Sequence, residues 1–288
     1  MERVVFRIFL ITVISSICLL AAAPEYQQAL GLYNHTEFQT SLDLLLPLEP
    51  KDAATLVLIG QNYFMLGDAK RATDFFSKAV TEEPTNSVYY HWLGRAYGRR
   101  AEISNPFSAM SHASKARQNF ERAVELDPKN SEAVNDLFEF YLEAPGFIGG
   151  GLEKATQMAE KIAARDPAEG NYARARIAEK RKEYSSAEQH LRRAMELAPH
   201  QVGRVLDLAK FLAKQGRYQE SDETFLAATK LAPNAPKVMY ARAATYIESG
   251  RNIETARELL EKYLASSVTP EDPPKSEARK LLRQASGS

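Results

Sequence analysis

The chain is poor in the residues that usually carry chemistry. Among 288 residues there is one cysteine, Cys18, and one tryptophan. Cys18 lies inside an N-terminal apolar stretch, so the rest of the chain has no thiol and forms no disulfide or cysteine metal site. A lipid-attachment signal wants a small residue just before its cysteine, and Ile17 stands there instead. Neither sign of charge is in excess, with 37 Lys plus Arg against 37 Asp plus Glu. That balance excludes the basic surplus of a nucleic-acid binder and any general polybasic attraction to membranes. Five histidines (His35, His91, His112, His190 and His200) are scattered without metal-ligand spacing and read as surface or groove residues. Neither a GxSxG elbow nor a GxxxxGK[ST] phosphate loop occurs. Gly146 to Gly151 has the glycines of a phosphate loop, but no strand precedes it and no Lys follows its pattern. It reads as a flexible turn between helices, with Phe147 and Ile148 at its tip. No catalytic residue, cofactor or metal is expected, and the chain does not read as an enzyme.

Long apolar runs are also scarce. The longest, Ile8 to Ala23, has 16 residues, short of the roughly 20 that span a bilayer. It follows Arg3 and Arg7 and ends in Ala21-Ala22-Ala23, the pattern of a secretory signal over residues 1–23. Pro24 disfavours cleavage after Ala23, and cleavage after Ala22 avoids it. An uncleaved N-terminal membrane anchor is the alternative. The expectation is an exported protein, periplasmic or secreted, with no membrane contact beyond the export signal. Asn34-His35-Thr36 is a glycosylation sequon, meaningful only in a eukaryotic secretory pathway.

A repeat is what the chain does have. Counting back from Pro84, Pro128, Pro167, Pro199 and Pro233, a small residue recurs twelve positions upstream and, in all but the Pro167 copy, a large apolar one eight upstream. An Ala five upstream usually completes the set. The clearest copy has Ala72, Phe76, Ala79 and Pro84, preceded by Gly60, Tyr63 and Gly67. This is a helix-turn-helix unit of about 34 residues, and it resembles the tetratricopeptide repeat (TPR) family. The resemblance implies an all-α, right-handed α-solenoid of about seven helix pairs that binds other proteins and does no chemistry. The expected units are 24–51, 52–86, 87–130, 131–167, 168–199, 202–233 and 236–268, with 269–288 a linker, capping helix and tail. Ten extra residues before Ala116 read as longer helices around a kink at Asn105-Pro106, and five precede Ala155 at 144–151.

In this repeat the small residues Gly60, Gly94, Ala175 and Ala209 are expected opposite Ala72, Ala116, Ala187 and Ser221. Phe76, Phe120, Leu191 and Phe225 should fill the space between pairs. Positions four and eight after each unit start should face the concave side. These are Tyr26 and Leu30, Val57 and Gln61, His91 and Arg95, Asn135 and Glu139, Tyr172 and Arg176, Leu206 and Lys210, and Tyr240 and Ala244, with Phe64 and Arg99 one turn on. Such a lining suits a protein or peptide segment with apolar anchors and an acidic group near the third unit. The TPR subtype that clamps a C-terminal carboxylate uses Lys and Asn in its first two units. Tyr26, Leu30, Val57 and Gln61 stand there, so that ligand is not expected. The reading is therefore a scaffold or adaptor of the cell envelope that binds in its groove. A structural subunit docking through its convex face and the 144–151 loop is the alternative.

Overall fold

A computed structural model describes residues 24–287. The signal segment expected over 1–23, with Cys18, lies outside the described residues. Strands are absent among the described residues; the elements are fifteen α-helices and one 3-10 turn. They fall into successive pairs: α1 (Pro24–Asn34) with α2 (Phe38–Leu45), α3 (Ala53–Met65) with α4 (Ala69–Glu82), and α5 (Ser87–Ile103) with α6 (Pro106–Leu126). Then come α7 (Ser131–Glu143) with α8 (Leu152–Ala163), α9 (Pro167–Lys180) with α10 (Tyr184–Leu197), α11 (Val202–Lys214) with α12 (Tyr218–Leu231), and α13 (Pro236–Glu248) with α14 (Ile253–Ala265). A last helix, α15 (Lys275–Ala285), packs on α13 and α14. No helix of the described residues is long and apolar enough to cross a membrane.

Local chemistry sets these boundaries. Asp52, Asp68, Asn105, Asn130 and Asp166 each accept a backbone N–H of the helix they precede, which satisfies an otherwise orphaned donor. In five of the seven pairs the chain turns between the helices through a left-handed residue: Thr36, Gly67, Lys182, Gly216 or Gly250. Only Gly takes that conformation without strain, so Thr36, whose side chain branches at Cβ, is the least comfortable of the set. The kink expected at Asn105-Pro106 is a complete break. Ser104 ends α5, and Asn105 caps α6 with Pro106 in its first turn.

The interlock within a pair differs from expectation in one respect. A Cβ on Gly60 would lie 2.6 Å from the Phe76 ring, and one on Gly94 would lie 2.6 Å from Phe120. The large residue of the second helix therefore presses on the glycine of its own first helix, as well as reaching the next pair. Phe76 does both, stacking on Trp92 with ring centres 5.8 Å apart. Where Ala is replaced by Ser in the second helix, the hydroxyl bonds across the pair: Ser41 Oγ to Ala29 O and Ser221 Oγ to Ala209 O, both 2.8 Å. The same twelve-residue separation recurs because the repeat puts the same two backbones in contact.

Gly98, on the same helix as Gly94, has no atom within 4 Å of where its Cβ would be. Gly98→Ala should therefore stabilise by about 0.5–1 kcal/mol through helix propensity. Gly94→Ala should destabilise by about 1–3 kcal/mol by crowding Phe120. Urea denaturation of the two variants checks the opposite signs.

Candidate binding groove

The first helices of successive pairs touch one another: α1 with α3, α3 with α5, α5 with α7, α7 with α9, and α11 with α13. Second helices of successive pairs make no comparable contact among the described residues. Closer spacing along one side of a stack bends it toward that side, so the first helices form the inner wall.

At the N-terminal end that wall is apolar and aromatic. Tyr26 and Leu30 on α1 and Phe64 on α3 are half-buried against the first core, and Gln61 is half-exposed beside them. Phe64 meets Trp92 edge-on with ring centres 5.6 Å apart. The Arg95 guanidinium lies 4.4 Å from the Trp92 ring centre and 5.2 Å from that of Phe64, a cation held over two π faces. Asp136, 3.8 Å from Arg95, holds it from the far side.

Three expected groove residues lie inside the protein. His91 is 1% exposed and Val57 6%, and Leu206 is buried in the same way. At these three places the side chain points inward, which excludes a partner there. Val57 joins the first hydrophobic core. His91 Nε2 shares a 2.8 Å hydrogen bond with Asp136, and its ring packs 6.0 Å from Phe120, so it ties α5 to α7.

Farther along, the groove is charged but internally paired. Arg176 donates to Glu139 at 2.6 Å and reaches the Tyr172 hydroxyl at 3.3 Å and Glu143 at 3.4 Å. Lys180 takes the other Glu143 oxygen at 2.6 Å. Arg204 pairs with Glu169 one unit back and with Asp207 at 3.2 Å, while standing over the Tyr172 ring. On the outer helices Arg217 pairs with Glu188, and Arg251 with Asp222. Apart from Arg204 with Asp207, an acid of one unit meets a base of the next, 29 to 37 residues later. Burial raises the Glu139, Glu169 and Asp207 carboxyls above their usual range, and the facing arginine in each case pulls back.

The remaining expected residues are dispersed. Asn135 and Ala244 are half-buried and Lys210 is exposed. Lys210 borders a shallow cleft of 270 Å³ with Lys214, Tyr218 and Glu248. Arg99 is exposed and pairs with Glu102 at 2.6 Å. The Tyr240 hydroxyl lies 3.4 Å from Glu277 of α15, so the last helix takes up that side chain.

The glycine-rich turn is ordered by hydrogen bonds, where a flexible turn was expected. Gly146–Ile148 is a 3-10 turn; Arg117 donates to Ile148 O, Lys154 to Gly149 O, and Gly151 N to Tyr141 O. A Cβ on Gly150 would meet Ala144 O at 1.9 Å, and Gly149 and Gly151 have positive φ. The glycines thus serve tight packing, and the turn displays Phe147 at 79% exposure with Ile148 half-buried behind it.

Trp92, Asp136 and Asp207 escaped the sequence reading. Each falls five residues after its unit start, one position beyond the stripe that was counted, and their polar or aromatic identity on an inner helix was the available signal. No group of three His, Cys, Asp or Glu is placed to hold a metal ion among the described residues.

Comparison with known proteins agrees with this architecture. The tetratricopeptide repeat family profile matches residues 178–244. Residues 178–244 are thus similar to tetratricopeptide repeats, and the helix pairs on either side share their form. No curated protein matches it in sequence. Among solved structures, a tetratricopeptide repeat protein from Parabacteroides merdae aligns with a TM-score of 0.58 at 13% identity, covering 91% of this chain and 97% of that one. Yeast Tom70 aligns with a TM-score of 0.57 at 16% identity, over 91% of this chain and 54% of its own. A thermophilic TPR protein of Thermus thermophilus gives 0.53 at 18% identity, over 65% and 97%. At these identities the likeness is one of fold.

The raised Asp207 carboxyl makes a signed prediction. Its folded pKa lies above the ordinary 3.8, so its contribution to stability is full below that value and is lost as pH rises through the folded pKa. Asp207→Asn removes this titration. The variant should lose less stability than the parent between about pH 4 and pH 7, read by denaturation at each pH; equal losses would contradict the assignment.

Proposed function

We propose that this TPR chain is a non-catalytic scaffold that holds a segment of another protein in its concave groove, chiefly at the N-terminal half. One observation carries the reading. In units four to six the inner charges satisfy one another between repeats, whereas Tyr26, Leu30, Gln61, Phe64 and Arg95 offer half-buried apolar surface and a cation stacked on rings. A groove of that composition takes an extended or helical segment with apolar anchors and a carboxylate near Arg95. The repeat occupies nearly all of the described chain, which supports a binding role over a catalytic one. The signal pattern of residues 1–23 supports a location in the cell envelope.

A second reading is favoured by Phe147. Held out on a clamped turn, it would dock the chain into an envelope assembly through the 144–151 loop.

The groove reading is tested by affinity capture from native extracts with a Phe64→Ser, Arg95→Glu double variant and, as an outer-face control, Arg192→Glu. Removing an apolar anchor and reversing the cation should reduce capture of the specific partner by about tenfold or more, while Arg192→Glu retains it. Equal retention by both would overturn the groove.

A further inference from the structure

The third helix pair departs from the rest of the array in a way that groove binding does not use. α5 has 17 residues and α6 has 21, against 13 and 14 in α3 and α4. Four and seven extra residues extend the hairpin by about 6 and 10 Å at the usual helical rise. The end of this projection is apolar. Phe107 is 84% exposed and Ile103 65%, with Met110 also exposed one turn further along α6. Phe107 is three residues ahead of Met110, so the two share a helix face. Nothing in the array needs these side chains outside.

The surroundings of the tip are cationic although the chain as a whole is neutral. From Arg99 to Arg117 there are four basic residues against one carboxylate, Glu102. Glu102 takes Arg99, and Glu121 takes Arg117. Arg100 and Lys115 instead stand over the Tyr97 ring, 5.8 and 5.3 Å from its centre, and neither meets a carboxylate among the described residues. The His112 imidazole reports the local field, since it is pushed down first by burial and then by Arg100 and Lys115. Leu66 and Phe147 are exposed at the corresponding turns of the neighbouring pairs, so the apolar character continues along this edge of the solenoid.

We infer that the α5–α6 tip docks on an anionic lipid surface, with Ile103, Phe107 and Met110 entering the headgroup region and Arg100 and Lys115 meeting lipid phosphates. The geometry favours lipid over a protein partner. The apolar groups crown a convex projection rather than line a concavity, which suits a soft layer that closes around them. The extra reach of about 6 to 10 Å matches the depth to which interfacial apolar faces settle, about 5–10 Å. Arg100 sits three residues behind Ile103, about 4.5 Å along the helix, where a phosphate plane would lie above the inserted side chains. Docked by one edge, the solenoid keeps its concave face open.

The test must see the tip itself, because residues 1–23 are apolar and can bind lipid independently. Phe107→Trp in the full chain adds one indole at an exposed site, and its emission is read as the difference from the parent chain, which carries Trp92. With phosphatidylglycerol vesicles the added indole should shift to the blue and be quenched by brominated acyl chains, and phosphatidylcholine vesicles should leave it nearly unchanged. Adding Arg100→Glu and Lys115→Glu should weaken the phosphatidylglycerol response about tenfold or more. An indole that stays water-like with phosphatidylglycerol overturns the proposal and turns attention to a protein partner for the tip. Equal shifts with both lipids overturn the anionic assignment.

Discussion

The contact on which the array depends is an aromatic ring pressed against a helix that has no side chain at that point. Phe76 occupies the room that a Cβ on Gly60 would need, and Phe120 does the same at Gly94. In units five and six Ala175 and Ala209 take the glycine's place and share a core with the buried Leu191 and Phe225. All four large residues are buried, and truncating one would cost about 2–5 kcal/mol. The interlock sets how closely two helices of a pair approach. Because the same ring also reaches the next pair, as Phe76 reaches Trp92, it fixes the step between units too. Curvature and groove follow from repeating that step.

Ion pairs play a different part. The links from Glu139 to Arg176, Glu169 to Arg204, Glu188 to Arg217 and Asp222 to Arg251 all run from an acid to a base one unit later. Half-buried and still partly screened by solvent, pairs of this kind contribute on the order of 1 kcal/mol each, less than the rings. Their consequence is for recognition: a groove whose charges are already matched offers a ligand little electrostatic gain. The N-terminal wall is the exception. There Arg95 rests on Phe64 and Trp92 and shares Asp136 with His91, so its cation stays close to apolar surface and available from the groove.

Much of this was legible in the sequence, and the limits have physical causes. Helix pairs could be read because Ala72, Phe76 and Ala79 recur at fixed distances from a proline, and that spacing reflects contacts every unit must make. Groove positions were harder. Counting four and eight residues along a helix of 3.6 residues per turn drifts around its axis, so Val57, His91 and Leu206 fall in the interior. Trp92 and Asp136, one position on, belong to the wall. The Gly146 to Gly151 turn shows a related limit, since glycine marks both freedom and crowding. Sequence could not distinguish them, whereas the contact of Gly150 with Ala144 O decides for crowding. Neutral overall charge likewise concealed the local surplus around Arg100 and Lys115.

The central claim is that partners are held by the inner wall of the N-terminal units, and contact mapping in the living host tests it most directly. A photo-crosslinking amino acid would be placed at Gln61 on the inner helix α3 and, separately, at Arg192 on the outer helix α10. Crosslinking of one discrete protein from position 61, and none from position 192, is the result this account predicts. Crosslinking from position 192 with none from position 61 would contradict it.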